Sequence, residues 1–256
     1  MRQIPRLPQS FLDRPLAHRG LHNASALRPE NSRAAFLAAI GGGYGIELDV
    51  QLSKDGQAMV FHDYNMTRLT GVHGPIQMRE SGDLVQIELL HGEKQTIPLL
   101  AEVLALVAGR VPLLVEIKDQ DGAMGPNVGA LEKAVAECAA SYKGPIAFMS
   151  FNPYSVEVIA NLLPDHPRGL TTCLMDDKGS LHVPRDRRDE LAAIQDFDRT
   201  KSSFISHDHN SLSIPRVQEL KSLGVPVLCW TITSNASEVA ARQVADNVTF
   251  EQYLPS

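Results

Sequence analysis

Strand-like and helix-like runs alternate along almost the whole of this chain, and that alternation decides the fold class. Strand candidates lie at 15–19, 46–51, 58–62, 112–118, 145–151, 168–173, 203–206, 227–232 and 246–250, and helix candidates at 32–40, 100–108, 128–140, 154–162, 187–197, 216–223 and 236–244. Apolar periodicity switches between 2 and 3.6 from one run to the next, the pattern of a parallel sheet with helices outside it. One pair breaks the rule. Only Leu52-Ser53-Lys54-Asp55-Gly56-Gln57 separates the second and third strands. That is too short for a crossover helix, and Asp55-Gly56 is a hairpin signal. The strand at 58–62 is therefore expected to fold back beside 46–51. Eight strands and seven helices remain, the strand number that closes a (β/α)8 TIM barrel. The eighth helix is expected to be missing or reduced to a turn.

With 256 residues, 43% of them hydrophobic, the chain suits one barrel domain, 1–256. The connection at 63–98 is long, carries four glycines and a proline before its closing Pro98, and has weak periodicity. It reads as a small inserted cap over the barrel mouth. Charge narrows the partners. There are 24 basic and 30 acidic residues, a net charge of −6, and no basic face for nucleic acid. In the densest basic run, Arg185, Arg187 and Arg188 alternate with Asp186, Asp189 and Glu190. No apolar run approaches the length of about 18 residues needed to span a membrane. The N-terminal MRQIPRLPQSFLDRP lacks the apolar core of a signal peptide, so a cytoplasmic location is expected. Cys138, Cys173 and Cys229 are odd in number, far apart and without a C-x-x-C, which argues against a disulfide framework or zinc site. The residues carry no signal for an oligomeric state.

Several charged residues fall where a barrel interior should be apolar. Glu47 and Asp49 are two apart on one strand and so share a face, with Ile46, Leu48 and Val50 on the other. Glu116 and Lys118 repeat the arrangement among Val115 and Ile117. Converging carboxylates cost several kcal/mol each unless a cation joins them, by the usual estimate of about that size. Oxygen-only ligands suit Mg²⁺ or Ca²⁺; ion pairs to Lys118 and Arg19 are the alternative. His18 and His62 each end a strand, where α/β barrels gather functional groups, and histidine is the acid–base group of neutral pH. Arg19 and Lys118 can hold an anion, and with a cation they describe a phosphate site. Glu30 and Asn31 fall at the barrel mouth and are expected to help fix it. Trp230, the single tryptophan, is expected to face inward. In His207-Asp208-His209, neighbours point opposite ways, so both imidazoles should not meet one ion. His22, His73, His91, His166 and His182 read as loop or surface residues.

The ordered motifs His18-Arg19-Gly20, Pro29-Glu30-Asn31-Ser32, Glu47-Leu48-Asp49-Val50, Ser53-Lys54-Asp55-Gly56, Val60-Phe61-His62-Asp63, Ile97-Pro98, Val115-Glu116-Ile117-Lys118, Ser150-Phe151 and Trp230-Thr231 resemble the glycerophosphodiester phosphodiesterase family across nearly the whole chain. The resemblance implies a (β/α)8 barrel of the phospholipase C-like phosphodiesterase type, with an insertion after His62-Asp63. It implies one divalent cation, Mg²⁺ or Ca²⁺, on Glu47, Asp49 and Glu116. It further implies His18 and His62 as the acid–base pair, Arg19 and Lys118 as phosphate binders, and Glu30 in support. Trp230 would wall the glycerol carbons. The implied reaction is hydrolysis of a small-molecule glycerophosphodiester to glycerol 3-phosphate and an alcohol, the substrate's own hydroxyl attacking. A lysophospholipase D on the same barrel and a non-catalytic phosphate-binding relative are the alternatives. The residues do not say which histidine is acid, which ion binds or which alcohol leaves. The chain departs from the family in its last strand, reading Val244-Ala245-Asp246-Asn247-Val248-Thr249-Phe250-Glu251 where Gly-Val-Asp-Gly-Ile-Ile-Thr-Asp is common.

Overall fold

The computed structural model describes residues 4–255. In chain order the elements are α1 (Ser10–Asp13), β1 (Leu16–Ala17), α2 (Arg33–Gly41), β2 (Gly45–Leu52), β3 (Ala58–Val60), α3 (Thr67–Thr70), α4 (Ser81–Leu84), α5 (Leu100–Val107), β4 (Leu113–Ile117), α6 (Ala130–Ala139), β5 (Ile146–Ser150), α7 (Pro153–Leu162), β6 (Arg168–Thr172), α8 (Arg185–Ala192), β7 (Phe204–Asp208), α9 (Pro215–Ser222), β8 (Val227–Ile232), α10 (Asn235–Ala241) and β9 (Asn247–Phe250). Eight strands run parallel in the order β1-β2-β4-β5-β6-β7-β8-β9, and β9 pairs with β1 to close the barrel. The expected foldback holds: β3 lies antiparallel on β2, with Gln51 opposite Met59. Seven helices, α2 and α5 to α10, separate the barrel strands one by one, the short α3 and α4 belong to the 63–98 connection, and no helix follows β9 among the described residues.

Side-chain alternation divides the interior from the wall. Ile46, Leu48, Val50, Val115, Ile117, Phe148 and Ile205 face outward into one apolar layer under the helices. Local signals start the helices where the sequence places them. Ser32 accepts from the Ala35 amide, and Asn152 accepts from the Tyr154 amide ahead of Pro153, so each satisfies an otherwise orphaned donor. The helix expected at 187–197 ends earlier, at Ala192, and Ile194 turns left-handed beyond it (φ 51°). The expectation missed α1. This short turn carries Phe11 beneath the barrel, where it meets Leu7, Leu16, Leu114, Ala147, Phe204 and Leu228 as a dry floor. Asn247 ties that plug in place by donating to the carbonyls of Phe11 and Arg14 at 2.8 and 2.7 Å.

The 63–98 connection has a small core of its own. Met59, Phe61, Met66, Leu69, Ile76, Leu84, Leu89 and Ile97 pack together beside β3. Residues 63–68 reach the barrel mouth. No helix is long and apolar enough to cross a membrane among the described residues.

Candidate active site

The C-terminal ends of β1, β2 and β4 gather the charges. Asp49 stands opposite Glu116 in the β2–β4 register. One oxygen each from Glu47, Asp49 and Glu116 lies within 4.8 Å of the others, and all three residues are buried. Lys118 Nζ sits 2.8 Å from Asp49 Oδ1 and donates to Glu116. Burial opposes its charge, yet these two carboxylates hold the ammonium above its ordinary range. Glu47 has no such partner. It accepts the Arg19 backbone N–H at 2.9 Å, while burial and the charges of Asp49 and Glu116 push its carboxyl well above the usual range. Burial acts in the same direction on Asp49, but Lys118, His62 and Arg19 outweigh it and hold that carboxyl well below the usual range. A buried carboxyl driven upward by two neighbouring carboxylates, with the nearest lysine already engaged, is an environment that a hard divalent cation fits.

The turn after β1 is built for this. Arg19 and Gly20 both take positive φ (54° and 79°). At Gly20 a Cβ would lie 2.9 Å from the Ala35 Cβ, so glycine is required on grounds of space as well as conformation. Asn31 is also left-handed, at φ 54°, which costs roughly 1–2 kcal/mol for a side chain. In return its amide donates to Asp49 Oδ2 at 2.9 Å. Arg19 Nη1 donates to Glu30 Oε1 at 2.7 Å, while its Nε lies 3.4 Å from Asp49 and has no hydrogen-bond partner. Glu30 thus braces Arg19 rather than lining the pocket.

Both histidines are held from behind by a carboxylate. His18 Nδ1 is 2.7 Å from Glu251 Oε2, and His62 Nδ1 is 2.7 Å from Asp63 Oδ1. Donation through Nδ1 leaves the Nε2 lone pair of each ring for chemistry. His18 Nε2 lies 4.0 Å from Glu47 Oε2. Burial depresses the pKa of His18, with Glu251 working against it. Hydrogen bonds from His18 and His22 hold Glu251 well below the usual carboxylate range. Arg68 joins the two sides. It donates to Asp63 Oδ2 at 2.7 Å and to both oxygens of Glu30 at 2.8 and 2.9 Å, making a continuous chain from Arg19 to His62.

Two cavities meet here. The inner pocket, of about 90 Å³, is lined by every sequence-derived site residue except Glu30 and Asn31. Trp230 faces inward as expected; its indole donates to the Ser206 carbonyl at 3.0 Å and its ring meets Phe151 edge-on at 5.4 Å. The peptide between Trp230 and Thr231 is cis. Thr249, also lining this pocket, has a buried hydroxyl without a partner. The outer cleft, of about 740 Å³, shares His62, Glu116, Lys118 and Phe151 with it and adds Tyr64, Arg68 and Met124. His207 and His209 do not converge. The former is buried between Thr172 and Ser211 at 2.7 and 2.9 Å, and the latter faces the Trp230 carbonyl at 3.2 Å.

Sequence reasoning missed Glu251, Asp63 as a partner of His62, Arg68 and His22, which lies 3.2 Å from Glu251 Oε2. Asp63 alone carried a signal, as the residue adjoining a strand-end histidine.

Residues 18–250 match the glycerophosphoryl diester phosphodiesterase family. The glycerophosphodiester phosphodiesterase of Caldanaerobacter subterraneus subsp. tengcongensis is 35% identical over 163 residues, covering 60% of this chain and 65% of that one. The lysophospholipase D GDPD1 of Mus musculus is 32% identical over 155 residues, covering 54% and 44%. The fold resembles that of an Oleispira antarctica phosphodiesterase solved with its product sn-glycerol-3-phosphate, at a TM-score of 0.77 and 24% identity over 95% of this chain and 94% of that one.

Proposed function

Since this chain belongs to the glycerophosphoryl diester phosphodiesterase family, and is thereby a phosphodiester hydrolase, we propose that it cleaves small glycerophosphodiesters to glycerol 3-phosphate and an alcohol, as one domain spanning 1–256. The observation that carries the reading is the pairing of two carboxylate-backed histidines with three converging buried carboxylates around one pocket. Glu47, Asp49 and Glu116 would hold one divalent cation, Mg²⁺ or Ca²⁺. When bound, that ion supplies charge neutralisation and polarisation at the phosphoryl oxygens. Arg19 and Lys118 bind and orient the phosphate. Glu30 acts through Arg19 as a positioning residue.

The two cavities suggest the division of labour. The inner pocket takes the glycerol half, with Trp230 against its carbons. His18 lines that pocket only, and its depressed pKa keeps Nε2 unprotonated near neutrality, suited to accept a proton from the attacking glycerol hydroxyl or a water. His62 lines both cavities and can protonate the alkoxide leaving into the outer cleft. Asp63 and Glu251 hold the rings and stabilise the imidazolium that forms. The product held by the Oleispira relative is the one this reading expects. The likeness to the mouse lysophospholipase D and the apolar side chains of Tyr64, Met124 and Phe151 in the outer cleft support a second substrate class with acyl chains. Three free cysteines, two of them buried, support a cytoplasmic setting.

The test is a coupled glycerol 3-phosphate assay on glycerophosphocholine, glycerophosphoethanolamine and lysophosphatidylcholine, with and without chelator. Release of glycerol 3-phosphate that chelator abolishes and Mg²⁺ or Ca²⁺ restores supports the reading. Absence of turnover with every substrate and ion refutes it.

A further inference from the structure

We infer that His18, His22 and Glu251 form a second cation site, separate from the three-carboxylate cluster, which takes a borderline transition ion of the zinc class and silences the enzyme when filled. The three residues come together at the seam where the barrel closes. The His18 amide donates to the Phe250 carbonyl and the Glu251 amide to the Ile232 carbonyl, each at 2.9 Å. A tight turn brings His22 round, its amide 2.8 Å from the Gly20 carbonyl. His18 Nδ1 and His22 Nε2 converge on the same oxygen, Glu251 Oε2, at 2.7 and 3.2 Å. The side chains are 15, 20 and 19% exposed, so an ion can reach them from solvent.

Two imidazoles and one carboxylate make an open three-ligand zinc set, with water as fourth ligand. Tetrahedral geometry with bonds of about 2.0 Å places ligand atoms about 3.3 Å apart; His22 Nε2 already stands 3.2 Å from Glu251 Oε2, His18 Nδ1 at 2.7 Å would move out by about 0.6 Å, and all three atoms lie within 4.8 Å of one another. The nitrogen-rich set favours zinc-class ions, whereas the all-oxygen cluster suits hard ones, so with the hard ion at saturation zinc is directed to the histidine site.

His18 connects them. Its Nδ1 faces Glu251, and its Nε2 faces Glu47. A neutral ring hydrogen-bonded to Glu251 carries its proton on Nδ1. An ion bound at Nδ1 displaces that proton to Nε2, with no net release; from the doubly protonated ring, one proton goes to solvent instead. Either way Nε2 ends with a hydrogen and no lone pair, and His18 can no longer accept a proton there. The site itself stands independently of the catalytic reading. The silencing rests on it.

The experiment compares the intact wild-type protein with His22→Ala, His22→Gln and Glu47→Gln. Cobalt(II) is titrated by visible absorbance, and zinc is titrated into a hydrolysis assay held at saturating concentration of the activating hard ion. Wild type and Glu47→Gln are expected to bind cobalt with the intense bands of a low-coordinate site. Both His22 variants should weaken that binding by roughly tenfold or more and need roughly tenfold more zinc for half inhibition, each read against its own zinc-free turnover. Equal zinc sensitivity and cobalt affinity in the His22 variants, or loss of the cobalt bands in Glu47→Gln but not in His22→Ala, overturns the site. Zinc bound in a His22-dependent way without loss of turnover overturns the silencing. A wild type that hydrolyses nothing refutes the proposed function, while the cobalt arm still decides this site.

Discussion

Replacing Glu251 with glutamine isolates the contribution of the residue behind His18. The substitution keeps volume and removes charge from a 2.7 Å contact whose acceptor side chain is 19% exposed. Hydrogen bonds to charged groups contribute about 1.5–3 kcal/mol. If that stabilisation is realised as His18 becomes cationic in the transition state, the loss in kcat is roughly 10-fold to 150-fold, at about 1.36 kcal/mol per decade. A glutamine amide that donates to Nδ1 instead would hold the proton on Nε2 and push the loss to the upper end. The pH profile adds an independent sign. Burial already places the His18 pKa below 6.5, and Glu251 raises it against that trend. Removing the carboxylate lowers it further, so the acid limb of kcat/KM should move to lower pH. The assay is kcat and kcat/KM on glycerophosphocholine from pH 4.5 to 9, beside circular dichroism to establish folding. A folded variant within threefold of wild type, or an acid limb moved upward, refutes the role assigned to Glu251.

Three other outcomes follow from the site and the core. His18→Ala and His62→Ala should each lower kcat on an alkyl diester by roughly 10²–10⁴-fold, and an aryl leaving group should rescue His62→Ala but not His18→Ala; rescue of the opposite variant reverses the assignment. Glu47→Gln should keep the melting temperature and lose most Mg²⁺ or Ca²⁺ affinity by calorimetry, and unchanged affinity would remove the three-carboxylate site. Burial pushes the His207 pKa down to about 4, so the unfolded state takes a proton below about pH 6.5 that the folded state refuses. Wild type should therefore lose about 2 kcal/mol more stability than His207→Gln between pH 7 and pH 5 in urea titrations, and parallel losses would show that His207 is not the group responsible.

The barrel was legible because its signals are local. Alternation within β2 and β4 sorts Glu47, Asp49 and Glu116 to the interior with no knowledge of what they meet. The short Asp55-Gly56 turn identifies β3 as the intruder. Glu251 was not legible, because its role depends on lying beside a histidine 233 residues away in sequence, a neighbour supplied only when β9 closes on β1. Arg68 sits in a connection whose weak periodicity conceals a small apolar core, and it acts through Glu30, 38 residues distant. His22 looked like an ordinary loop histidine for the same reason: its partner is 229 positions away. The end of α8 was misread because Leu191, Ile194 and Phe197 are all apolar and buried, which mimics helical spacing even though the backbone has left the helix.

The closing of β9 between β8 and β1 has a consequence for how the molecule comes into being. Until that strand is seated, β1 and β8 are open edges inviting foreign strands, and the plug on Phe11 lacks its anchor at Asn247. The same event brings Glu251 to His18. Acquisition of activity and loss of stickiness should therefore coincide in time during synthesis, with non-local pairing of this kind setting the slow step. A nascent chain stalled before this strand would be both inert and prone to aggregate.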